Sequence, residues 1–387
     1  MKIINFILLT LFKNRFIRNY RKDCKEKIGH ALLYYKTDPL ILRSLARTYS
    51  HTNYWEIVEI VRILNKLGFW VDILDRDIAE NDVDKIENKY DLFIGIGAGN
   101  SGKYYANLAK KLTKAKKIFY ALGPEPELSN QLILDRYEYF HQRHPDLKVD
   151  LRRMITKINI DESMRYTDAI FCGGSKFSTD SYAKFKKAFY KFYCPSSPNI
   201  SFDLSHLGKA SRNKYVYIGG NGNIVKGLDI IIETFAGMPE YELHICAPES
   251  EKDFNEIYMP IIKNSPNIKF HGFIEVGGQL FNKITSECGY AILLSCSEGV
   301  ANSLITCMKR GLVPIANNES GIDNLEKFGY TINSIEIKLL QERIREISKI
   351  THEEFIKKSQ EAYFESFNYS QARFSENFEK SIINVMS

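Results

Sequence analysis

The sequence predicts an α/β protein of two domains, each with a largely parallel sheet, facing one another across a cleft. Three observations carry that expectation. At 387 residues the chain exceeds one ordinary domain and suits two of roughly 150 to 200 residues each. Short β-branched runs alternate with amphipathic helical runs, the pattern of parallel sheets joined by crossover helices. Hydrophobic residues at 44% and charged residues at 26%, with 24 Phe and 23 Tyr, are enough for two cores. They exclude a disordered, collagen-like or disulfide-scaffold chain.

Residues 1–28 read as a basic amphipathic segment of their own. Within 1–27 stand Lys2, Lys13, Arg15, Arg18, Arg21, Lys22, Lys25 and Lys27 against Asp23 and Glu26, which accounts for the whole net charge of +6. The rest of the chain is neutral, so bulk attraction for nucleic acid is excluded. Ile3–Phe12 is apolar, but it spans about half of the ~20 residues a transmembrane helix needs. No small-x-small cleavage site follows it, and most of the positive charge comes after it, unlike a signal peptide. The expectation is a reversible anchor on an anionic cytoplasmic membrane surface, to which each basic residue contributes on the order of 1 kcal/mol. The alternative is a helix packed on the protein with a solvated basic face.

The first domain is expected over 29–208. Its strands are Ala31–Tyr35, Trp70–Leu74, Leu92–Ile96, Lys117–Ala121 and Ala169–Cys172. A helix runs from about Tyr54 to Leu67, opened by Asn53 and Glu56 as a capping box and stopped by Gly68. Around Pro195–Ser211 the periodicity fades into Pro, Ser and Asn, a linker. The second domain, over 213–366, restarts with strand Tyr215–Ile218, helix Leu228–Ala236 and strands Tyr241–Cys246 and Ile268–Phe270. Helix 279–287, strand Tyr290–Leu294, helix 302–310 and strand Leu312–Ile315 complete it. After about Glu353 the chain reads as helical and aromatic-rich. Ligands of such sheets sit beyond the carboxyl ends of strands, so the chemistry is sought in the loops there.

Four loops stand out. Gly219-Gly220-Asn221-Gly222-Asn223 leaves a strand and is followed by Lys226-Gly227 at a helix start. Glycines admit a close ligand, helix amides favour an anion and Lys226 adds a charge, which suits a diphosphate; a flexible turn with a solvated lysine is the alternative. Ser295-Cys296-Ser297-Glu298-Gly299 follows a buried strand, and Glu298 either accepts hydrogen bonds from sugar hydroxyls or caps the next helix. Gly97-Ala98-Gly99-Asn100-Ser101-Gly102-Lys103 has the spacing of a nucleotide-triphosphate loop, but Tyr104 stands where the magnesium-binding Ser or Thr belongs. It reads instead as a cleft loop, with Gly99, Asn100 and Ser101 facing an acceptor. Gly123-Pro124-Glu125-Pro126-Glu127 offers Glu125 and Glu127 as an acceptor contact or base, or forms a rigid solvated loop.

No metal is expected. His141 and His144 lack a third ligand, Asp75 and Asp77 equally start a turn, and the seven cysteines form no C-x-x-C pair. Scattered cysteines, odd in number, suit a reducing cytoplasm.

In order, the runs YVYIGGNGNIVKGLDIIIETF (215–235), NIKFHGFI (267–274) and SCSEGVANSLITCMKRGLVPI (295–315) resemble the donor domain of family-four glycosyltransferases of the GT-B fold. The resemblance covers about 215–320 and implies two Rossmann-like domains, with a C-terminal helix, 367–387, crossing back to the first. It implies a nucleotide-sugar donor in the cleft, a glycan or lipid-linked glycan acceptor and retaining transfer without a metal or other cofactor. Lys226 matches the lysine that holds the donor diphosphate, and Glu298 matches the first Glu of an E-x7-E motif that contacts the donor sugar. Gly219, Gly220, Asn221, Gly222, Gly272, Gly299, Asn302, Ser303 and Thr306 would line the donor.

There are two departures. Thr306 replaces the second Glu of the motif, and Gly220 stands where many relatives carry a diphosphate-binding Arg. Losing such a partner costs about 1.5–3 kcal/mol where nothing replaces it. With the anchor, the resemblance points to bacterial surface-polysaccharide assembly at the inner face of the membrane. Two rival readings are a non-catalytic scaffold of the same fold and a sugar-nucleotide epimerase.

Overall fold

The structure is a computed structural model and describes residues 16–20, 26–41, 52–78, 80–97, 99–197, 200 and 210–387. The first sheet contains β1 (Phe16–Tyr20), β2 (Gly29–Tyr35), β3 (Phe69–Asp75), β4 (Leu92–Ile96), β5 (Lys116–Ala121), β6 (Ala169–Gly173) and β7 (Ala188–Phe192). They lie in the order β1-β3-β2-β4-β5-β6-β7, parallel throughout except for β1, which runs antiparallel along β3. Central strands such as Leu-Phe-Ile-Gly-Ile of β4 are buried at every residue because helices cover both faces. Those helices include α1 (Thr52–Lys66), α2 (Tyr105–Lys111), α3 (Pro126–Arg143), α4 (Ile160–Arg165) and α5 (Lys176–Asp180).

The second sheet has β8 (Ser211–Ile218), β9 (Glu242–Cys246), β10 (Ile268–Phe270), β11 (Cys288–Leu293), β12 (Val313–Ala316) and β13 (Tyr330–Thr331). Its order, β10-β9-β8-β11-β12-β13, is all parallel and reverses between β8 and β11. Chains leaving those two neighbours turn to opposite sides, which opens a crevice at the switch point. Around the sheet stand α6 (Leu228–Ala236), α7 (Lys252–Asn264), α8 (Gln279–Glu287), α9 (Asn302–Met308), α10 (Ile337–Ser348) and α11 (His352–Glu365). The last helix, α12 (Gln371–Met386), returns to the first domain. There Phe374 and Phe378 pack against Phe192 and Phe171 at ring separations of 5.4 Å, and Lys66 pairs with Glu379 at 2.6 Å.

Two expectations need correction. Residues 16–20, assigned to the amphipathic basic segment, form the edge strand β1, where Phe16, Ile17 and Tyr20 pack on the first core. The apolar run Ile3–Phe12 lies outside the described residues, as does most of the linker Pro195–Ser211. The stretch 123–127 is not a solvated loop but the start of α3. Pro126 fills the first helical turn, and the Glu125 carboxylate caps it by accepting from the Leu128 amide at 3.0 Å.

Helix α3 also crosses the domain boundary. By position it belongs to the first domain, yet Ile133, Tyr137 and Phe140 are part of the second core. Its end carries a buried charge cluster: Arg143 reaches Asp229 at 2.5 Å and Glu233 at 2.9 Å, while His144 and Tyr258 also bond Glu233. Arg136, only 4% exposed, donates to the Leu294 carbonyl at 2.8 Å. The domains are therefore fastened by buried polar contacts as well as by apolar area.

Removing one member of such a cluster strands the others in a low-dielectric interior. Arg143→Ala is expected to lower stability by about 3–5 kcal/mol in urea denaturation, with Arg143→Lys recovering part of it.

Candidate functional site

The loops after β8 and β11 are tied together by a hydrogen bond from the Cys296 amide to the Val225 carbonyl at 2.9 Å. That bond brings the side chains on either side of it into one place. The Lys226 ammonium contacts Oε1 of Glu298. The same oxygen accepts from Arg153 Nη1 at 3.1 Å, and Arg153 comes from the opposite domain. Both Lys226 and Glu298 are mostly buried, at 15% and 14% exposure of the side chain. Burial alone would raise the Glu298 pKa, but Lys226 and then Arg153 overcome it and hold the carboxyl down to about 2. With two cations on one carboxylate, the trio keeps one positive charge uncompensated.

Arg153 was not legible in the sequence. It stands in the irregular stretch between α3 and α4 with a left-handed backbone, φ +67°. Two asparagines clamp the residues that follow it. Asn100 accepts from the Thr156 and Lys157 amides at 2.8 and 2.9 Å and donates to the Met154 carbonyl, and Asn130 makes the paired bonds with Ile155. Asn100, expected to face an acceptor, thus has its amide committed to holding the Arg153 segment. Gly222 completes the seat. At φ +92° it has the left-handed backbone a side chain rarely adopts, and a Cβ there would lie 2.6 Å from Arg153 Cδ.

The glycine loop differs from expectation in one respect. The Gly222 and Asn223 amides, proposed from the sequence for a diphosphate, are taken by the buried carboxylate of Glu251. Gly219 donates its amide to the Cys246 carbonyl at 3.0 Å, and Asn221 accepts from Ser250 at 2.7 Å. Gly220 faces open space, with nothing within 4 Å of where a Cβ would be.

A cavity of about 300 Å³ lies between the domains, lined among others by Gly97, Asn100, Gly123, Tyr182, Arg153 and Glu298. Gly299 also lines it, but its carbonyl accepts from the Ser175 amide at 3.0 Å and a Cβ would meet the Leu122 carbonyl at 2.4 Å. This glycine therefore serves close approach of the domains. Gly99 and Ser101 belong to a short 3-10 turn after β4. Lys103 of the apparent triphosphate loop lies over the Tyr104 ring at 4.5 Å. Glu125 is spent as the α3 cap, and Glu127 pairs with Lys184 at 3.0 Å, outside the cavity lining. Gly272 has φ +69° next to Glu249; Asn302 and Ser303 open α9, and Thr306 is buried inside it.

The metal spacings weighed in the sequence resolve into other contacts. His144 bonds Glu233, and Asp75 accepts from Thr37 and the Asp77 amide to shape a turn. Among the described residues Glu242, His244 and Glu287 do converge, but Lys214 lies 3.2 and 3.1 Å from the two carboxylates and Lys269 2.6 Å from Glu242.

No family model and no curated protein matches the sequence. Solved structures do match the fold. HepE of Anabaena, solved with UDP and glucose, aligns with a TM-score of 0.57 at 12% identity over 92% of this chain and 99% of its own. OtsA gives 0.60 at 9% identity over 92% and 99%. The pneumococcal O-GlcNAc transferase GtfA, solved with UDP and GlcNAc, gives 0.51 at 13% identity over 79% of this chain and 58% of its own. At these identities the likeness establishes the fold: GT-B, two Rossmann-like domains across a cleft.

Two outcomes follow from the trio. The Glu298 pKa is lowered on folding, so its stabilising charge is complete above the ordinary value of 4.5 and is lost as pH falls toward about 2. The stability difference between wild type and Glu298→Gln should be about 2 kcal/mol and flat above about pH 5, then shrink down to pH 2. Gly222→Ala should lower the melting temperature, at about 1–2 kcal/mol for the left-handed backbone alone, and displace Arg153.

Proposed function

We propose that the protein transfers a sugar from a nucleotide-sugar donor to a hydroxyl of a glycan or lipid-linked glycan. One observation carries this reading: at the β8–β11 switch point Lys226 meets Glu298, and Glu298 lines a cavity between the two domains. In GT-B proteins solved with UDP and a sugar, such as HepE and GtfA, the same architecture receives a nucleotide and a carbohydrate.

The chemistry follows from charge. The bond from the anomeric carbon to the diphosphate oxygen breaks as the acceptor oxygen approaches, and negative charge grows on the leaving diphosphate. An ammonium preset in a mostly buried site stabilises that charge without reorganising. Glu298 then orients the sugar through its hydroxyls. It is the one carboxylate among the described residues lining the cavity, and its two cations keep it ionised, which makes it a poor proton carrier. The acceptor proton passes instead to the departing phosphate, on the face the sugar leaves, so the anomeric configuration is retained.

We place metal-independence in the same reading. A divalent ion at Glu298 would meet two positive charges already in contact with it. The setting is bacterial surface-polysaccharide assembly, with the basic N-terminal segment holding the enzyme to an anionic inner membrane surface. No helix of the described residues is long and apolar enough to cross a membrane. The capture of the Gly222 and Asn223 amides by Glu251 favours one rival, a non-catalytic scaffold.

Thermal-shift screening against UDP, GDP, ADP and TDP and their sugars is expected to give one clear stabiliser, worth about 2.7 kcal/mol at 100 times its dissociation constant. Hydrolysis or transfer of that sugar nucleotide should fall at least tenfold in Lys226→Ala; a stabiliser with no turnover in any assay would favour the scaffold. Deleting residues 1–15, which spares β1, should weaken binding to vesicles containing phosphatidylserine; unchanged binding would remove the anchor.

A further inference from the structure

We infer that Arg153 is the second cationic ligand of the donor diphosphate, delivered from the first domain and exchanged onto the phosphate from Glu298. The inference rests on the donor site proposed above and deepens it. It also accounts for the sequence departure at Gly220, where the second domain offers open space and no charge.

Three features of the molecule lead there. Lys226 and Arg153 converge on a single carboxylate oxygen, the arrangement in which two cations would flank one phosphate oxygen. Glu298 therefore sits as an internal stand-in for an anion. Two of the neighbouring loop amides, those of Gly222 and Asn223, are already taken by Glu251. A diphosphate at this switch point thus meets charge mainly from the two side chains. Finally, Arg153 is built into place: its segment is clamped by Asn100 and Asn130, and its stem packs over Gly222 in contact that a Cβ would forbid. A guanidinium held this way loses little freedom when it binds, and its planar donors suit a phosphate as well as a carboxylate.

The exchange has a directional consequence. As the diphosphate arrives, Arg153 turns from Glu298 to the phosphate nearer the sugar, and Glu298 is released toward the sugar hydroxyls. Because Lys226 and Arg153 belong to different domains, the full charge assembles only with the domains together. The buried Arg143 cluster holds them so.

The test measures binding of UDP and UMP to the full chain by calorimetry, or of the GDP and GMP pair should the screen favour guanine. Wild type, Arg153→Ala, Arg153→Lys, Glu298→Gln and the Arg153→Ala/Glu298→Gln double variant are compared, each checked for an unliganded melting transition. Arg153→Ala is expected to weaken the diphosphate roughly 10- to 100-fold and the monophosphate far less, with Arg153→Lys in between. Glu298→Gln should tighten the diphosphate, and the loss from Arg153→Ala should persist in that background. Persistence separates direct contact from a role in positioning Glu298, which would give no further loss once Glu298 is neutral. Equal binding by wild type and Arg153→Ala, or an equal loss for UDP and UMP, overturns the inference and leaves the donor site standing. Failure of wild type to bind any nucleoside diphosphate overturns both.

Discussion

The sharing of one carboxylate between two cations organises this molecule. Glu298 has Lys226 on its own domain and Arg153 on the other, and their combined attraction outweighs the cost of burying its charge. Desolvation opposes a buried charge by several kcal/mol, so the ionised Glu298 exists only because both loops and the Arg153 segment are held in position. Gly222, Asn100 and Asn130 matter for that reason. They have no charge of their own, yet they fix where the charge of Arg153 is delivered.

The same logic extends to the domain junction. In a two-domain protein with a small polar interface, relative motion is the default. Here α3 puts Ile133, Tyr137 and Phe140 into the second core, and Arg143 lies among Asp229, Glu233 and the hydroxyl of Tyr258 joins the same carboxylate. The returning helix α12 adds Phe374 and Phe378 to the first core. A site whose parts come from both domains benefits from such fastening, since an ångström of misplacement at a charged contact is expensive.

Much of the second domain was legible in the amino-acid sequence. Its strands and helices are short and strongly patterned, and Leu228–Ala236 begins and ends where periodicity and glycines place it. That Lys226 and Glu298 stand on loops at strand ends was legible too; their direct pairing was not, because it needs β8 and β11 to be neighbours in the sheet. The α3 helix was not. Pro124 and Pro126 read as a rigid loop, and only the cap by Glu125 and burial against the other domain turn them into a helix start. The edge strand β1 was hidden among basic residues for a similar reason: it is a strand because β3 offers an open edge beside it.

What the amino-acid sequence by itself determined is local and repetitive: two α/β domains, the loops at their strand ends and one lysine and one glutamate with complementary chemistry. These follow from periodicity, glycine placement and charge, which act over a few residues. Only the tertiary structure decided that Arg153 belongs to the site, that Glu251 fills the glycine-loop amides and that α3 serves both cores. Each is a contact between residues far apart in the chain, and no short-range pattern records which distant group a buried charge will find.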